Sequence, residues 1–259
     1  MQLRYTFGGY VYISAEDDPR AIARAMVETG YDEEFCVAGP PALNFDPDFT
    51  ARLMAAGFLV MSLRLAEPEP VYILTPKLHL ERSIIFFEDF HEPRSARRLI
   101  PRYELRTDIQ PEISGEFDLF DTVMERCAAV HGEDWLTPPL RESFRQIRAL
   151  RTAGAGLPVR PAAFGLFREG RLAAGEFGVV SGKVYTSYSG YYDEDSAGTV
   201  QLILTGRYLR DTGFAFWDLG MPLEYKTRLG ARRVEREAFL ELIYGKPRNG
   251  AETHGLRVV

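Results

Sequence analysis

The sequence predicts an α+β protein, and three observations carry that reading. The first hundred residues alternate strand-like and helix-like patterns. Residues 117–150 repeat apolar side chains at helical spacing, and residues 161–190 run as three long strands. The chain has 259 residues, 46% of them hydrophobic and 26% charged, which suffices for a substantial core.

Taken in order, Tyr10–Ser14 alternates as a strand, and a helix over Pro19–Thr29 is closed by Gly30. Asp46-Pro47 pairs a cap with a first-turn proline and starts a second helix that stops at Gly57. Phe58–Leu65 and Val71–Leu74 read as strands around the turn Glu67-Pro68-Glu69-Pro70. From Lys77 to Arg102 the pattern is irregular, with Arg94, Arg97, Arg98 and Arg102. We place a boundary near residue 100, so that residues 1–100 form a small N-terminal α+β domain and 101–245 the main domain.

From Ser114 onward Phe117, Phe120, Val123, Met124 and Cys127 predict a helix that Gly132 ends. Trp135-Leu136-Thr137 leads into a helix from Pro138-Pro139, with Leu140, Phe144, Ile147 and Leu150 on its apolar face. Strands follow over Pro161–Arg168, Leu172–Val180 and Lys183–Gly190, the last two joined by a tight Ser181-Gly182 turn. A helix over Ser196–Asp211, a strand Phe214–Asp218 and a helix over Arg236–Tyr244 complete the core. Residues 246–259 read as a loose polar tail.

Composition excludes several function classes. The net charge of −6 does not suit a protein that coats nucleic acid, so any such contact is expected to be local. Cys36 and Cys127 lie in separate apolar runs and read as buried free thiols rather than a disulfide. The N-terminus lacks signal-peptide features and no apolar run reaches membrane-spanning length, so the expected location is the cytoplasm. His79, His91, His131 and His254 show no ligand spacing, and no metal site is expected. Neither a serine-nucleophile elbow nor a glycine-rich phosphate loop is present.

A few residues remain that can carry chemistry. A two-residue Ser181-Gly182 turn pairs Val180 with Lys183, Gly178 with Tyr185 and Glu176 with Ser187, which puts Glu176, Tyr185 and Ser187 on one face. A carboxylate in an apolar strand needs a partner, a ligand or an exposed face. Asp218 ends a buried strand, a place for a catalytic group or for a turn-forming cap. Asp193-Glu194-Asp195 precedes a helix, either as favourable N-terminal charge or as a docking point for a cation. Arg141, Arg145, Arg148 and Arg151 form a stripe that reads as a solvated face or, with the arginines near 94–102, as a cradle for a short phosphate segment.

Several of these pieces, in this order, resemble the leucyl/phenylalanyl-tRNA–protein transferases. They are Asp46-Pro47, Arg52-Leu53-Met54, Leu78 to Ser83, Phe120-Asp121 with Val123-Met124 and Cys127-Ala128, and Asp134 to Thr137. They continue with the stretch from Leu172 to Tyr185, then Trp217-Asp218 and Leu229-Gly230-Ala231, with ungapped spacing from Leu172 to Ala231. The resemblance implies an acetyltransferase-like (GNAT) mixed sheet flanked by helices. It also implies transfer of an amino acid from the 3′ end of aminoacyl-tRNA to a protein N-terminal amine, with no cofactor, no membrane and no DNA.

Carried over residue by residue, the family's catalytic aspartate is Asp218. Its glutamate falls on Tyr188 and its glutamine on Gly220, while its His-Ser-x-Glu stretch is here Pro161-Ala162-Ala163-Phe164. Tyr188 is expected to donate a hydrogen bond in place of the glutamate, and Trp135 to stack on the terminal adenosine or wall the pocket. Arg141, Arg145 and Arg148 are expected at the tRNA. The family's apolar side-chain pocket maps onto Glu176, Tyr185, Gly190, Leu202, Thr205 and Trp217, of which Glu176 and Thr205 replace apolar residues. The expectation is a donor preference moved away from leucine and phenylalanine. Two alternatives stay open, an acyl-CoA-dependent acyltransferase of the same fold and a non-catalytic aminoacyl- or peptide-binding protein.

Overall fold

The computed structural model describes residues 2–40, 45–65, 69–109, 118–132 and 134–245. The tail from residue 246, His254, and the start of the helix expected near Ser114 and Phe117 lie outside them. In chain order the elements are β1 (Arg4–Tyr5), β2 (Val11–Ser14), α1 (Pro19–Glu28), β3 (Cys36–Gly39), α2 (Pro47–Ala55), β4 (Ser62–Arg64), β5 (Tyr72–Leu74), β6 (Glu81–Ile85), α3 (Arg94–Arg97) and β7 (Glu104–Thr107). The second half follows with α4 (Leu119–His131), α5 (Pro138–Thr152), β8 (Arg160–Arg168), β9 (Arg171–Ser181), β10 (Val184–Tyr192), α6 (Ala197–Asp211), β11 (Phe216–Asp218), α7 (Glu224–Thr227), β12 (Arg232–Glu235) and α8 (Arg236–Tyr244).

Local chemistry accounts for several helix ends. The Asp46 carboxylate accepts from Phe49 N at 2.9 Å, and Pro47 occupies the first turn where its missing N–H costs nothing. Asp118 caps α4 in the same way, accepting from Asp121 N at 3.0 Å.

Seven strands form one mixed sheet in the order β12-β6-β11-β10-β9-β8-β7. From β7 to β10 the neighbours are antiparallel, and α6 then crosses over so that β11 lies parallel to β10. That antiparallel run with one parallel βαβ crossover is the acetyltransferase-like arrangement expected from the sequence. On one face Phe177 of β9 meets Phe120 of α4 and Phe144 of α5, with ring centroids 5.8 and 5.6 Å apart. On the other face Phe164, Tyr185 and Trp217 pack with Ile203 of α6. The first of these clusters continues without a break into Val11, Ile13, Phe49 and Phe58.

Two readings need correction. The Lys77–Arg102 segment is not irregular throughout, because β6 runs antiparallel to both β11 and β12 inside the main sheet. The sheet therefore draws on both sides of residue 100. Arg82 and Ser83 are buried there, and polar residues in a central strand hide it from a hydrophobicity pattern. The hairpin register also differs: Ser181 pairs with Val184, so Gly182-Lys183 is the turn. Gly182 has φ +57°, which suits the first central position of a turn that a serine-first turn would have denied it. The register moves by two residues up to Ser187, and beyond a bulge Glu176 pairs with Gly190 rather than Ser187. Because Glu176, Gly178 and Val180 alternate along β9, the expected faces survive.

Arg82 ties β6 to its neighbours. Its guanidinium donates to Gly57 O at 2.7 Å and approaches Asp218 Oδ2 at 3.4 Å, and both side chains are buried. Removing one partner of such a pair leaves an uncompensated charge indoors. Arg82→Met should cost about 3–5 kcal/mol by that argument, measurable as a lower urea midpoint at unchanged slope.

Candidate active site at the parting of two strands

β10 and β11 pair only over Val184–Thr186 and Phe216–Asp218. β11 stops at Asp218, whereas β10 runs on to Tyr192 against β9, with a bulge between Ser187 and Ser189. A cavity of about 680 Å³ opens where the two strands part. Its walls come from β10, the first turns of α6, and the loop and short helix that follow β11. Concave space at a strand end, beside a crossover helix, is where such sheets place ligands.

Glu176 forms the deep polar wall. Only 3% of it is exposed. One carboxylate oxygen accepts from Ser187 Oγ at 3.2 Å, and Ser187 in turn accepts from Trp217 Nε1 at 2.8 Å. The other oxygen, Oε1, has no hydrogen-bond partner among the described residues. Burial pushes the carboxyl up to about 8, with Ser187, Gln201 and Lys226 acting the other way. Tyr185 lies on the same face, wholly buried, with its hydroxyl also unpartnered among the described residues. It fits because Gly178 has no side chain: a Cβ there would lie 2.8 Å from Tyr185 Cζ and 2.2 Å from Thr186 O.

Lys226 of α7 also lines the cavity. Its ammonium donates to Leu219 O at 2.6 Å and Met221 O at 2.7 Å, stapling the loop after β11. Burial lowers it to about 8, and Asp218 opposes that shift. Asp218 itself is fully buried behind the lining. Its oxygens accept from Thr186 Oγ1 at 3.1 Å and Gly220 N at 2.9 Å, beside Arg82. Gly220 sits at φ +73°, a conformation that a glutamine would adopt only with strain.

The other expected residues divide. Gly190 and Leu202 line the cavity. Thr205 and Trp217 are buried behind it, Thr205 accepting from Gln201 Nε2 at 2.8 Å. Tyr188 is among the lining residues, but its ring packs against Phe144, Phe177 and Trp135 and its hydroxyl is turned to the 58–60 segment, accepting from Val60 N at 3.2 Å. Trp135 is half-buried and lies nearly parallel to Phe177, 6.5 Å between centroids, with Tyr188 also at 6.5 Å.

The arginine stripe is engaged by acids on neighbouring elements. Arg141 pairs with Glu125 at 3.1 Å, Arg145 with Asp121 at 2.6 Å, and Arg148 with Asp108 at 2.6 Å. The run before α6 divides likewise: Asp193 pairs with Arg126, Glu194 with Arg168, and Asp195 alone of the three lines the cavity. Both cysteines are buried free thiols. Among the described residues no His, Cys, Asp and Glu cluster could hold a metal ion, and no helix is long and apolar enough to cross a membrane.

The family model for leucyl/phenylalanyl-tRNA protein transferase matches residues 84–244, which contain the parted strands and every wall of the cavity. The chain belongs to the leucyl/phenylalanyl-tRNA protein transferase family. It is 26% identical over 165 residues to the leucyl/phenylalanyl-tRNA–protein transferase of Pseudomonas paraeruginosa, covering 62% of this chain and 66% of that one. The corresponding figures for the protein of the same name from Shewanella denitrificans are 27% over 173 residues, with 66% of each chain covered. The chain thus spans just under two thirds of the length of these relatives. Among solved structures it resembles FemX at 13% identity with a TM-score of 0.43, over 90% of this chain and 80% of that chain.

Lys226, Gln201, Ser189 and Tyr225 of this family member were not singled out from the sequence, although all four line the cavity. Lys226 lies beyond the strand end in a polar stretch, and only the fold turns its amine inward.

Glu176 also makes stability depend on pH. Its carboxyl is neutral in the fold up to about 8 but ionises from about 4.5 in the unfolded chain. Between those values the unfolded state binds fewer protons, so stability falls as pH rises, by about 1.4 kcal/mol per unit for one group. Glu176→Gln should remove that slope and stabilise the protein at pH 8, read as melting temperature against pH for both proteins. Tyr185→Phe should leave stability unchanged or raised, because the hydroxyl it removes bonds to nothing described.

Proposed function

We propose that this protein transfers an aminoacyl group from the 3′ end of aminoacyl-tRNA to the N-terminal amine of a protein. The observation that carries the reading is the cavity at the parted strands, lying wholly inside the segment that matches the transferase family. In this reaction the amine nitrogen attacks the ester carbonyl carbon. The new C–N bond forms, the C–O bond to the ribose breaks, the amine loses a proton and the ribose oxygen gains one. No cofactor is needed. Holding ester and amine together accounts for much of the rate, since proximity is worth about 7–11 kcal/mol at best.

Asp218 orients the reacting groups in this reading. Its charge bears on Lys226, and its hydrogen bond to Gly220 N fixes the loop that Lys226 grips. Lys226, lowered to about 8, can release or take a proton close to neutral pH while its remaining hydrogens stay on the two carbonyls. Tyr188 anchors the aromatic cluster behind the bulge of β10 and fixes the 58–60 segment through its hydroxyl. The accessible part of Trp135 is given to the terminal adenosine.

For the tRNA, Arg141, Arg145 and Arg148 would have to share their guanidinium groups with the acids they already face. Arg94, Arg98 and Arg102 are exposed and pair with no carboxylate among the described residues, so they supply the stronger phosphate contact. The acyl-CoA alternative is disfavoured by the three carboxylates at the start of α6, where a diphosphate would need bare backbone N–H groups.

Single-turnover transfer from tRNA charged with mixed amino acids to a short peptide tests the reading. Asp218→Asn should slow it by about 10²–10⁴, measured under conditions where urea titration shows the variant folded. Acylation from acyl-CoA with charged tRNA inert would overturn the assignment. Changing Arg94, Arg98 and Arg102 together to Ala should lower the salt slope of tRNA binding by about 0.7–0.9 for each phosphate that is no longer neutralised. Removal of Arg145 and Arg148 should change it less.

A further inference from the structure

An amine that attacks an ester must give up a proton as its new bond forms, so the cavity needs a group that takes one near neutral pH. Most titratable groups in its walls are poorly suited. Glu176 of β9 holds its own proton up to about 8. Lys226 of α7 is largely an ammonium below about 8, with two hydrogens committed to Leu219 O and Met221 O. Burial raises Tyr191 of β10 and Tyr225 of α7, so both stay protonated. Asp195, ahead of α6, is exposed, and a carboxylate is a weaker base than an imidazole.

His131 is left. It is exposed and lines the cavity as the last residue of α4, directly before Gly132 ends the helix at φ +78°. α4 packs against β10, and Cys127, one turn earlier on the same helix face, is buried beside Ser189. The imidazole is fixed in its turn. Its Nε2 lies 2.7 Å from Gly190 O, in the stretch of β10 that β11 has left. A carbonyl oxygen only accepts, so Nε2 carries the hydrogen of that bond. In the neutral ring the lone pair is then on Nδ1, which has no hydrogen-bond partner among the described residues. One nitrogen anchored to backbone and the other held open to the cavity is the arrangement of a base.

We infer that His131 is the general base of the transfer, its Nδ1 taking the proton from the attacking amine. This rests on the transferase reading. As the C–N bond forms, the nitrogen's proton passes to Nδ1. The C–O bond breaks with its electron pair on the ribose oxygen, which takes a proton from the Lys226 ammonium. The imidazolium then loses its proton to water and the amine of Lys226 regains one. His131 thereby supplies a base that position 188 does not, since the Tyr188 hydroxyl is turned to Val60 N.

Single-turnover transfer from charged tRNA to a short peptide, followed on the full chain across the range where imidazole titrates, tests the inference. His131→Gln keeps an amide donor for Gly190 O, and His131→Ala opens space for a free imidazole. Both should be slower by about 10²-fold or more while the melting temperature holds. The wild-type rate should rise with pH through that range, and His131→Gln should lack this limb. The acceptor amine titrates close by, at about 7.7–8, and chemical rescue separates the two groups. Added imidazole should speed His131→Ala by about tenfold or more, and more basic imidazoles should speed it further. Transfer by His131→Gln at close to the wild-type rate would overturn the inference. So would a slowed His131→Ala that no imidazole restores, which would make His131 only a latch between α4 and β10. Either result leaves the transferase reading standing. Acylation from acyl-CoA with the same His131 dependence and rescue, charged tRNA being inert, would support the base and overturn the transferase reading. Acylation of neither kind by the wild type would overturn both.

Discussion

Arg82 sits on β6, one strand in from the edge of the sheet, with its side chain 1% exposed, and three other segments of the chain close around its guanidinium. Gly57 O at the end of α2 accepts from it, His79 Nδ1 lies 3.2 Å away, Asp218 of β11 supplies countercharge, and the Phe239 ring of α8 lies 4.6 Å beneath. Burial and the guanidinium depress His79 to about 2, so it stays neutral and accepts. Each contact alone is modest, but a guanidinium cannot shed its charge and must be answered wherever it is buried. The ends of α2, β11 and α8 are therefore drawn to one point.

The candidate site inherits its shape from that point. Asp218 is held where β11 ends, and from there its other oxygen takes Gly220 N and starts the loop that Lys226 closes. With β11 stopped, β10 has no partner on that side beyond Thr186, and the cavity occupies the gap. The same residue thus terminates a strand, compensates a buried cation and shapes a binding surface. Asp218 does not touch solvent, and it bears on the cavity through the loop and through the field it places on Lys226.

Tyr188, where the resemblance places a carboxylate, belongs to an aromatic group with Phe144, Phe177 and Trp135 and sends its hydroxyl to backbone at residues 58–60. Gly220 occupies a left-handed turn and offers only its N–H. The cavity also holds a buried acid. An apolar strand that accepts a carboxylate is destabilised unless a ligand or proton compensates it, and Glu176 is raised for that reason.

Much of this was legible in residue order. The helix caps at Asp46 and Gly30, the apolar period of α4 and α5, and the long strands β8 to β10 follow from local chemistry that acts within a few residues. The shared face of Glu176, Tyr185 and Ser187 also came through, because a two-residue shift preserves the alternation of a strand. What the chain order could not show is how charges are answered. β6 looks like a loop because its arginine and serine are polar, and it becomes a central strand only when Asp218 arrives from 136 positions away to neutralise Arg82. Arg141, Arg145 and Arg148 look like a free basic stripe until α4 and the end of β7 bring acids against them. Lys226 looks like surface until its amine is turned onto two carbonyls. Backbone conformation is set by neighbours in sequence, whereas compensation of charge is set by neighbours in space, and only the folded chain decides those.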